Sequence, residues 1–156
     1  MSVDIEKNML EKGITIPAAP AKGGLYRPCR EFGDNLAFVS GCGCSMNGVP
    51  VAGKLGIDFT VEEGQAHARN SMLNVLAALQ AQIGDLARVK KVVKILVFVA
   101  SADDFYQQPQ VANGASQLLV DVFGEKAGLP TRSAIGVNVL PGNLPVEIEA
   151  IFELRS

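Results

Sequence analysis

Two charges in the C-terminal third of the chain each interrupt an apolar segment. Arg132 follows Leu129-Pro130-Thr131 at the start of an apolar run, and Glu147 lies within Val146-Glu147-Ile148-Glu149-Ala150-Ile151. Strand alternation puts Glu147 and Glu149 on one face, opposite Val146, Ile148 and Ala150. An Arg and a Glu on adjacent strands of a hairpin make a surface cross-strand pair, and the strand pattern alone favours that reading. They are still the charges hardest to account for as simple solvated surface.

Other candidates fit chemistry less well. His67 and Ser71 stand four apart on a predicted helix, but the sequence places no Asp to orient the imidazole, which argues against a hydrolytic triad. Gly53-Lys54-Leu55-Gly56 lacks the GxxxxGK[ST] order of a phosphate loop and reads as a shaped loop. The acidic pairs Glu62-Glu63 and Asp103-Asp104 fall at predicted helix starts, where carboxylates favour the positive end of the helix dipole. Cys29, Cys42 and Cys44 are an odd set without CxxC spacing, and one His is present to assist them. Free thiols, no metal site and no cofactor are expected.

The elements that position these residues come from one domain's worth of chain. The sequence has 156 residues, 48% of them apolar, which is enough for a sizeable core. A net charge of -2 without a basic cluster predicts no nucleic-acid partner. The apolar runs around Leu73–Leu79 and Val92–Ala100 are too short to span a bilayer, and the N-terminus does not resemble a secretory signal, so a cytoplasmic location is expected.

Residues 1–20 read as an N-terminal arm and residues 21–156 as a single domain. Within the arm, Asp4 to Glu11 can form a short helix with Asp4 as N-cap and Gly13 near its stop. Leu25 to Phe32 and Asn35 to Gly41 read as two strands joined at Gly33-Asp34. The glycines of the following stretch, Cys42 to Asp58, favour a loop. Thr60-Val61-Glu62-Glu63 is a capping box, and the helix it opens carries an apolar face from Ala68 to Ile83 and stops at Gly84. Val89 to Val99 suits a central strand. A second helix is expected to start near Ser101–Asp104 and run through Val111, Ala115, Leu118, Leu119 and Val122 to Gly124. Thr131 to Leu140 and Pro145 to Leu154, joined by Pro141-Gly142-Asn143, read as a terminal hairpin. The fold class is therefore α+β, with the order ββαβαββ and both helices on one face of a mixed sheet. The other face has no helix to cover it, and self-association is the economical solution.

Leu129-Pro130-Thr131-Arg132-Ser133, then Leu140-Pro141, then Val146-Glu147-Ile148-Glu149-Ala150-Ile151 resemble the C-terminal signature of the RidA/YjgF family, PxRS, LP and (V/I)E(I/V)EA. Gly24-Leu25-Tyr26 resembles its GPY, Phe38-Val39-Ser40-Gly41 its strand ending in SG, and Ala68-Arg69 with Leu73-Asn74-Val75-Leu76 the pattern of its first helix. The resemblance covers roughly residues 14 to 155. It implies a chorismate-mutase-like fold, assembled as a homotrimer around a central barrel, and an activity: deamination of imines and enamines such as 2-aminoacrylate to 2-keto acids and ammonia.

By the same resemblance Arg132 would bind the substrate carboxylate and Glu147 would position or activate the attacking water, making these two the catalytic residues. Tyr26, Gly41 and Asn113 would line a pocket between subunits. The partners implied are a carboxylate-bearing imine, enamine or 2-keto acid and two further copies of the chain. Alternatives are a trimer that binds 2-keto acids without turnover and, less well supported, an endoribonuclease. The chain departs from the family pattern in three places. Leu25, Arg27 and Pro28 alter GPYSQ, Cys42-Gly43-Cys44 replaces the segment after SG, and the loop through Gly53-Lys54-Leu55-Gly56 resembles a divergent branch.

Overall fold

The apolar stripes of two long helices and one face of a sheet close on each other to form the core. The computed structural model describes residues 4–156. In chain order the elements are α1 (Ile5–Glu11), β1 (Cys29–Phe32), β2 (Leu36–Gly43), α2 (Val61–Ile83), β3 (Val89–Ala100), α3 (Gln108–Gly128), β4 (Thr131–Val137) and β5 (Val146–Leu154). After the short N-terminal helix this is the expected ββαβαββ succession. The first three residues of the expected arm lie outside the described residues.

Local chemistry sets the helix ends. Asp4 caps α1 by accepting from the Lys7 amide at 3.0 Å. At α2, Thr60 Oγ1 accepts from the Glu63 amide at 3.2 Å while Glu63 Oε2 accepts from the Thr60 amide at 2.7 Å, so the capping box is complete. Gly84, at φ 88°, ends the helix in a conformation that a β-carbon would strain. The expected helix start at Ser101–Asp104 is corrected: α3 begins at Gln108, with Pro109 in its first turn. Ser101 is used by the sheet instead. Its amide donates to the Val137 carbonyl at 3.1 Å and it bridges Leu55, so β3 is prolonged where a helix was expected. Gly124, at φ 77° and ψ 163°, breaks α3 near the expected stop before a last turn to Gly128. Asn8 of α1 donates to the Val122 carbonyl at 3.0 Å beside that break.

The sheet has the order β1-β2-β5-β3-β4, with β3 and β4 parallel and all other pairs antiparallel. The expected terminal hairpin is therefore corrected. Pro141–Asn143 does form a tight turn, but β5 leaves it to pair with β2 and β3, and β3 stands between β4 and β5. The crossover through α3 sets β4 parallel to β3. The free β3 edge left on its other side is filled by β5. The loop expected from Cys42 is also shorter than its glycines suggested, since Cys42 and Gly43 continue β2 beyond a bulge after Val39.

Val146, Ile148, Ala150, Phe152 and Leu154 alternate inward along β5 and are buried against α2 and α3 together with Ile95, Val97 and Val99 of β3. Phe152 is fully buried, and its truncation to Ala would cost about 3–5 kcal/mol. The helices meet closely at Gly114, where a β-carbon would collide with the Gln65 backbone. The opposite face of the sheet carries half-buried Leu36, Phe38, Leu96, Phe98 and Ile151, and no helix among the described residues covers it.

Candidate functional site

Glu147 occupies the second position of β5, directly opposite Gly43 of β2 and Phe98 of β3. Its neighbours Val146 and Ile148 face the core, so alternation turns its side chain to the open face. Two buried polar side chains of α2 hold this corner from the core side. Ser71 Oγ donates to the Val146 carbonyl at 3.2 Å, and Asn74 Nδ2 donates to the Gly43 and Ser45 carbonyls at 2.8 and 2.9 Å. The glycine at position 41 is required by this placement. A β-carbon there would overlap the Glu147 carboxylate, whose Cδ lies 3.0 Å from that point.

Past the register shift at the bulge, β2 is flanked by an extended strap rather than by β1. The strap is tied down where the Ser40 amide donates to the Pro28 carbonyl at 2.9 Å and Ser40 Oγ donates to the Arg27 carbonyl at 2.7 Å. Its turn delivers Tyr26, whose hydroxyl accepts from the Gly23 amide at 3.0 Å and keeps its own proton free to donate. Tyr26, Ser40, Gly41, Gly43, Leu144 and Glu147 line a cavity of about 470 Å³. That lies within the usual size for small-molecule sites. Three of the five residues singled out by sequence, Tyr26, Gly41 and Glu147, thus meet at one place.

Burial, and then the nearby Glu149 carboxylate, hold the Glu147 carboxyl above its ordinary range. A carboxylate with raised proton affinity is a better base, because its strength approaches what neutral operation requires. Burial also pushes the Cys42 thiol up to about 12 and that of Cys29 to about 11, aided by Glu147 and Glu31 respectively. All three cysteines are free and buried, and thiols held this high are poor nucleophiles. Among the described residues no three His, Cys, Asp or Glu side chains converge as a metal site would need.

Arg132 and Asn113 form a second constellation. Arg132 Nη1 donates to Asn113 Oδ1 at 2.8 Å and to Ser116 Oγ at 3.1 Å, both on α3. These bonds orient the guanidinium along the helix-covered side of β4, the edge strand. Arg132 is in register with Ile95 and Glu147 with Phe98 of the intervening β3, so two strand spacings and a three-residue offset separate their backbones by about 14 Å. They also face opposite sides of the sheet. The surface cross-strand pair suggested by the strand pattern is therefore overturned: the strands are not neighbours.

Ser116 was not singled out from the sequence, although its spacing of three from Asn113 on a helix was the available signal. Ser71 and Asn74 were not legible as supports, because the carbonyls they hold belong to strands distant in sequence. His67 and Ser71 serve separate purposes. The imidazole packs edge-on against Phe59 at 4.6 Å between ring centroids, and burial lowers its pKa, with Glu63 opposing.

The family profile described as "YjgF/chorismate_mutase-like, putative endoribonuclease" matches residues 6–152. Protein TCP17 of Trypanosoma cruzi is 42% identical over 152 residues, covering 97% of this chain and 95% of that protein. A 2-iminobutanoate/2-iminopropanoate deaminase of Salmonella typhimurium is 32% identical over 150 residues, covering 94% of this chain and all of that one. The crystal structure of Atu1372 from Agrobacterium tumefaciens, described as of unknown function, superposes with a TM-score of 0.87 at 39% identity, over 96% of this chain and 92% of the other. With the profile spanning nearly the whole chain and relatives at 42% and 32% identity over almost their full length, this chain belongs to the YjgF/chorismate-mutase-like family.

Proposed function

We propose that this protein hydrolyses 2-imino and enamino acids of the 2-aminoacrylate type to 2-keto acids and ammonia, in pockets between the subunits of a cytoplasmic homotrimer. The observation that carries the reading is the Glu147 carboxylate, half-buried over Gly41 at the wall of a cavity large enough for such a substrate. The deaminase relative supplies the reaction class.

One protomer holds the two halves of the site on different surfaces. Glu147, Tyr26 and Gly41 face the open side of the sheet, and Arg132 with Asn113 sits at the β4 edge. A second copy set with its edge against this open face would bring a guanidinium to the cavity and cover Leu36, Phe38, Leu96 and Phe98 in the same step. Arg132 would clamp the substrate carboxylate with its two-pronged donor geometry, which also orients the neighbouring C=N carbon. Glu147 would accept a proton from a water as its oxygen attacks that carbon. That proton passes from Glu147 to the imine nitrogen to give the carbinolamine, whose hydroxyl proton moves to the amine as the C–N bond breaks, releasing ammonia and leaving the 2-keto acid. An enamine must first be protonated at its terminal carbon to give the imine.

The test is to generate the enamine in situ with a pyridoxal-phosphate-dependent dehydratase and follow release of keto acid. Acceleration by catalytic amounts of this protein is expected. Tight binding of the 2-keto acid without acceleration would instead favour a noncatalytic binding trimer. A nuclease reading built on paired acid and base histidines has little to stand on, because the sequence has one His and its ring packs on Phe59 away from the cavity.

A further inference from the structure

The two glycines at the end of β2 are each covered by a side chain that reaches over from the C-terminal segment. Glu147 takes up the place of a β-carbon at Gly41, and Leu144 does the same at Gly43, where an added β-carbon would overlap Leu144 Cδ1 and stand 3.6 Å from its Cγ. The three atoms nearest to that point all belong to Leu144. Gly43 is not held at a positive φ, so a side chain there is opposed by Leu144 and not by the backbone conformation. Past the bulge both glycines lie on the open face, two residues apart, which sets the two seats about 7 Å from each other.

The backbone on either side of Leu144 is pinned. The Asn143 carbonyl accepts from the Gly53 amide at 3.0 Å, and the Pro145 carbonyl accepts from the Ala100 amide at 2.9 Å. From the core side, buried Asn74 holds the Gly43 and Ser45 carbonyls at 2.8 and 2.9 Å. Seat and occupant are therefore both fixed, and half-buried Leu144 forms a wall of the same cavity as Glu147. Pro141 and the Tyr26 ring supply the rest of that cavity's apolar side-chain lining.

We propose that Leu144 is a specificity-determining residue of this site and that Gly43 is the positioning residue that seats it. The inference rests on the functional reading above. With the reacting carbon beside Glu147 and the carboxylate turned toward the guanidinium of a second copy, the substrate's remaining substituent lies against the Leu144 side chain. The depth to which Leu144 sinks over Gly43 then sets how bulky that substituent can be. Shortening Leu144 opens the wall, and filling its seat drives it into the cavity.

The experiment is calorimetric binding of two 2-oxo acids of unequal bulk, 2-oxopropanoate and 4-methyl-2-oxopentanoate, to the unaltered protein, Leu144→Ala, Gly43→Ala and the double variant. Turnover of the matching imines, generated in situ by an amino-acid oxidase, is measured in parallel. Leu144→Ala should move the ratio of the two affinities toward the bulkier acid by about tenfold or more, the discrimination that one methylene of a pocket wall carries. Gly43→Ala should move the ratio the other way, and adding Leu144→Ala to it should bring the ratio back to that of Leu144→Ala alone. A merely structural role would lower both affinities together and leave the double variant worse than either single one. That result, or an unchanged ratio in folded Leu144→Ala, overturns the proposal. Should Gly43→Ala fail to fold, Leu144→Ala decides. A shifted binding ratio without turnover of either imine would sink the deamination reading alone, whereas turnover with an unshifted ratio would sink the Leu144 assignment alone.

Discussion

Arg132 and Glu147 stand on opposite faces of one sheet with β3 between them, the guanidinium held by Asn113 and Ser116 and the carboxylate seated over Gly41. Neither can reach the other within a protomer. In the proposed mechanism Arg132 binds the carboxylate and Glu147 moves a proton.

Arg132→Lys keeps the charge and loses the planar fork. Affinity for a 2-keto acid should fall by about 1–3 kcal/mol, the scale of a charge-assisted hydrogen bond, and turnover should fall with it. Calorimetry on the variant checks this. An affinity equal to that of the unaltered protein would remove Arg132 from the carboxylate site.

Glu147→Gln preserves shape and cannot take a proton. Keto-acid binding should survive while the rate drops about 100-fold or more. Because the Glu147 pKa is raised, kcat/KM of the unaltered protein should fall as pH drops through a midpoint above the ordinary value of 4.5. The same shift has an opposite consequence for stability. A carboxyl whose folded pKa is raised favours its neutral form, so the fold is penalised above that pKa and relieved as pH falls through it. Glu147→Gln should therefore melt higher at pH 7, with the advantage disappearing by the ordinary value of 4.5. A variant less stable than the parent at pH 7 would show that the carboxylate is held by favourable partners in the folded protein.

Gly41→Ala tests the seat of the carboxylate. The added β-carbon would displace Glu147, and a misplacement of about 1 Å can lower the rate about 100-fold. Since the displaced group is a half-exposed side chain, the melting temperature should change little. Unaltered turnover would mean that the position of Glu147 above Gly41 is not the working one.

What the sequence made legible follows from which signals are local. The capping box at Thr60, the stop at Gly84 and the alternation that turns Glu147 away from the core are set within a few residues, and each stands in the structure. The pairing of β5 is not local. The Pro141–Asn143 turn has the composition of a hairpin, and only the parallel placement of β4 through α3 shows that the next strand must pair elsewhere. Ser101 carried a helix-start signal that its strand bonds overrode. For the site, Tyr26, Gly41 and Glu147 were found through motif resemblance, and their meeting depends on a bulge and a strap that no periodicity announces. Ser71 and Asn74 act on carbonyls far along the chain, so their roles became readable only when the sheet was in view.

In the proposed trimer one copy's Arg132 serves another copy's Glu147, and mixing inactive variants tests this most directly. Arg132→Ala and Glu147→Gln, each purified and nearly inactive, are unfolded together in equal amounts, refolded and assayed for imine hydrolysis. In a randomly assembled homotrimer about a quarter of the pockets would pair an intact Arg132 with an intact Glu147. Activity should return to about a quarter of the level of the unaltered protein carried through the same refolding. If the mixture stays as inactive as its components while light scattering shows mixed trimers, the two residues do not act across an interface, and the proposed shared pocket is wrong.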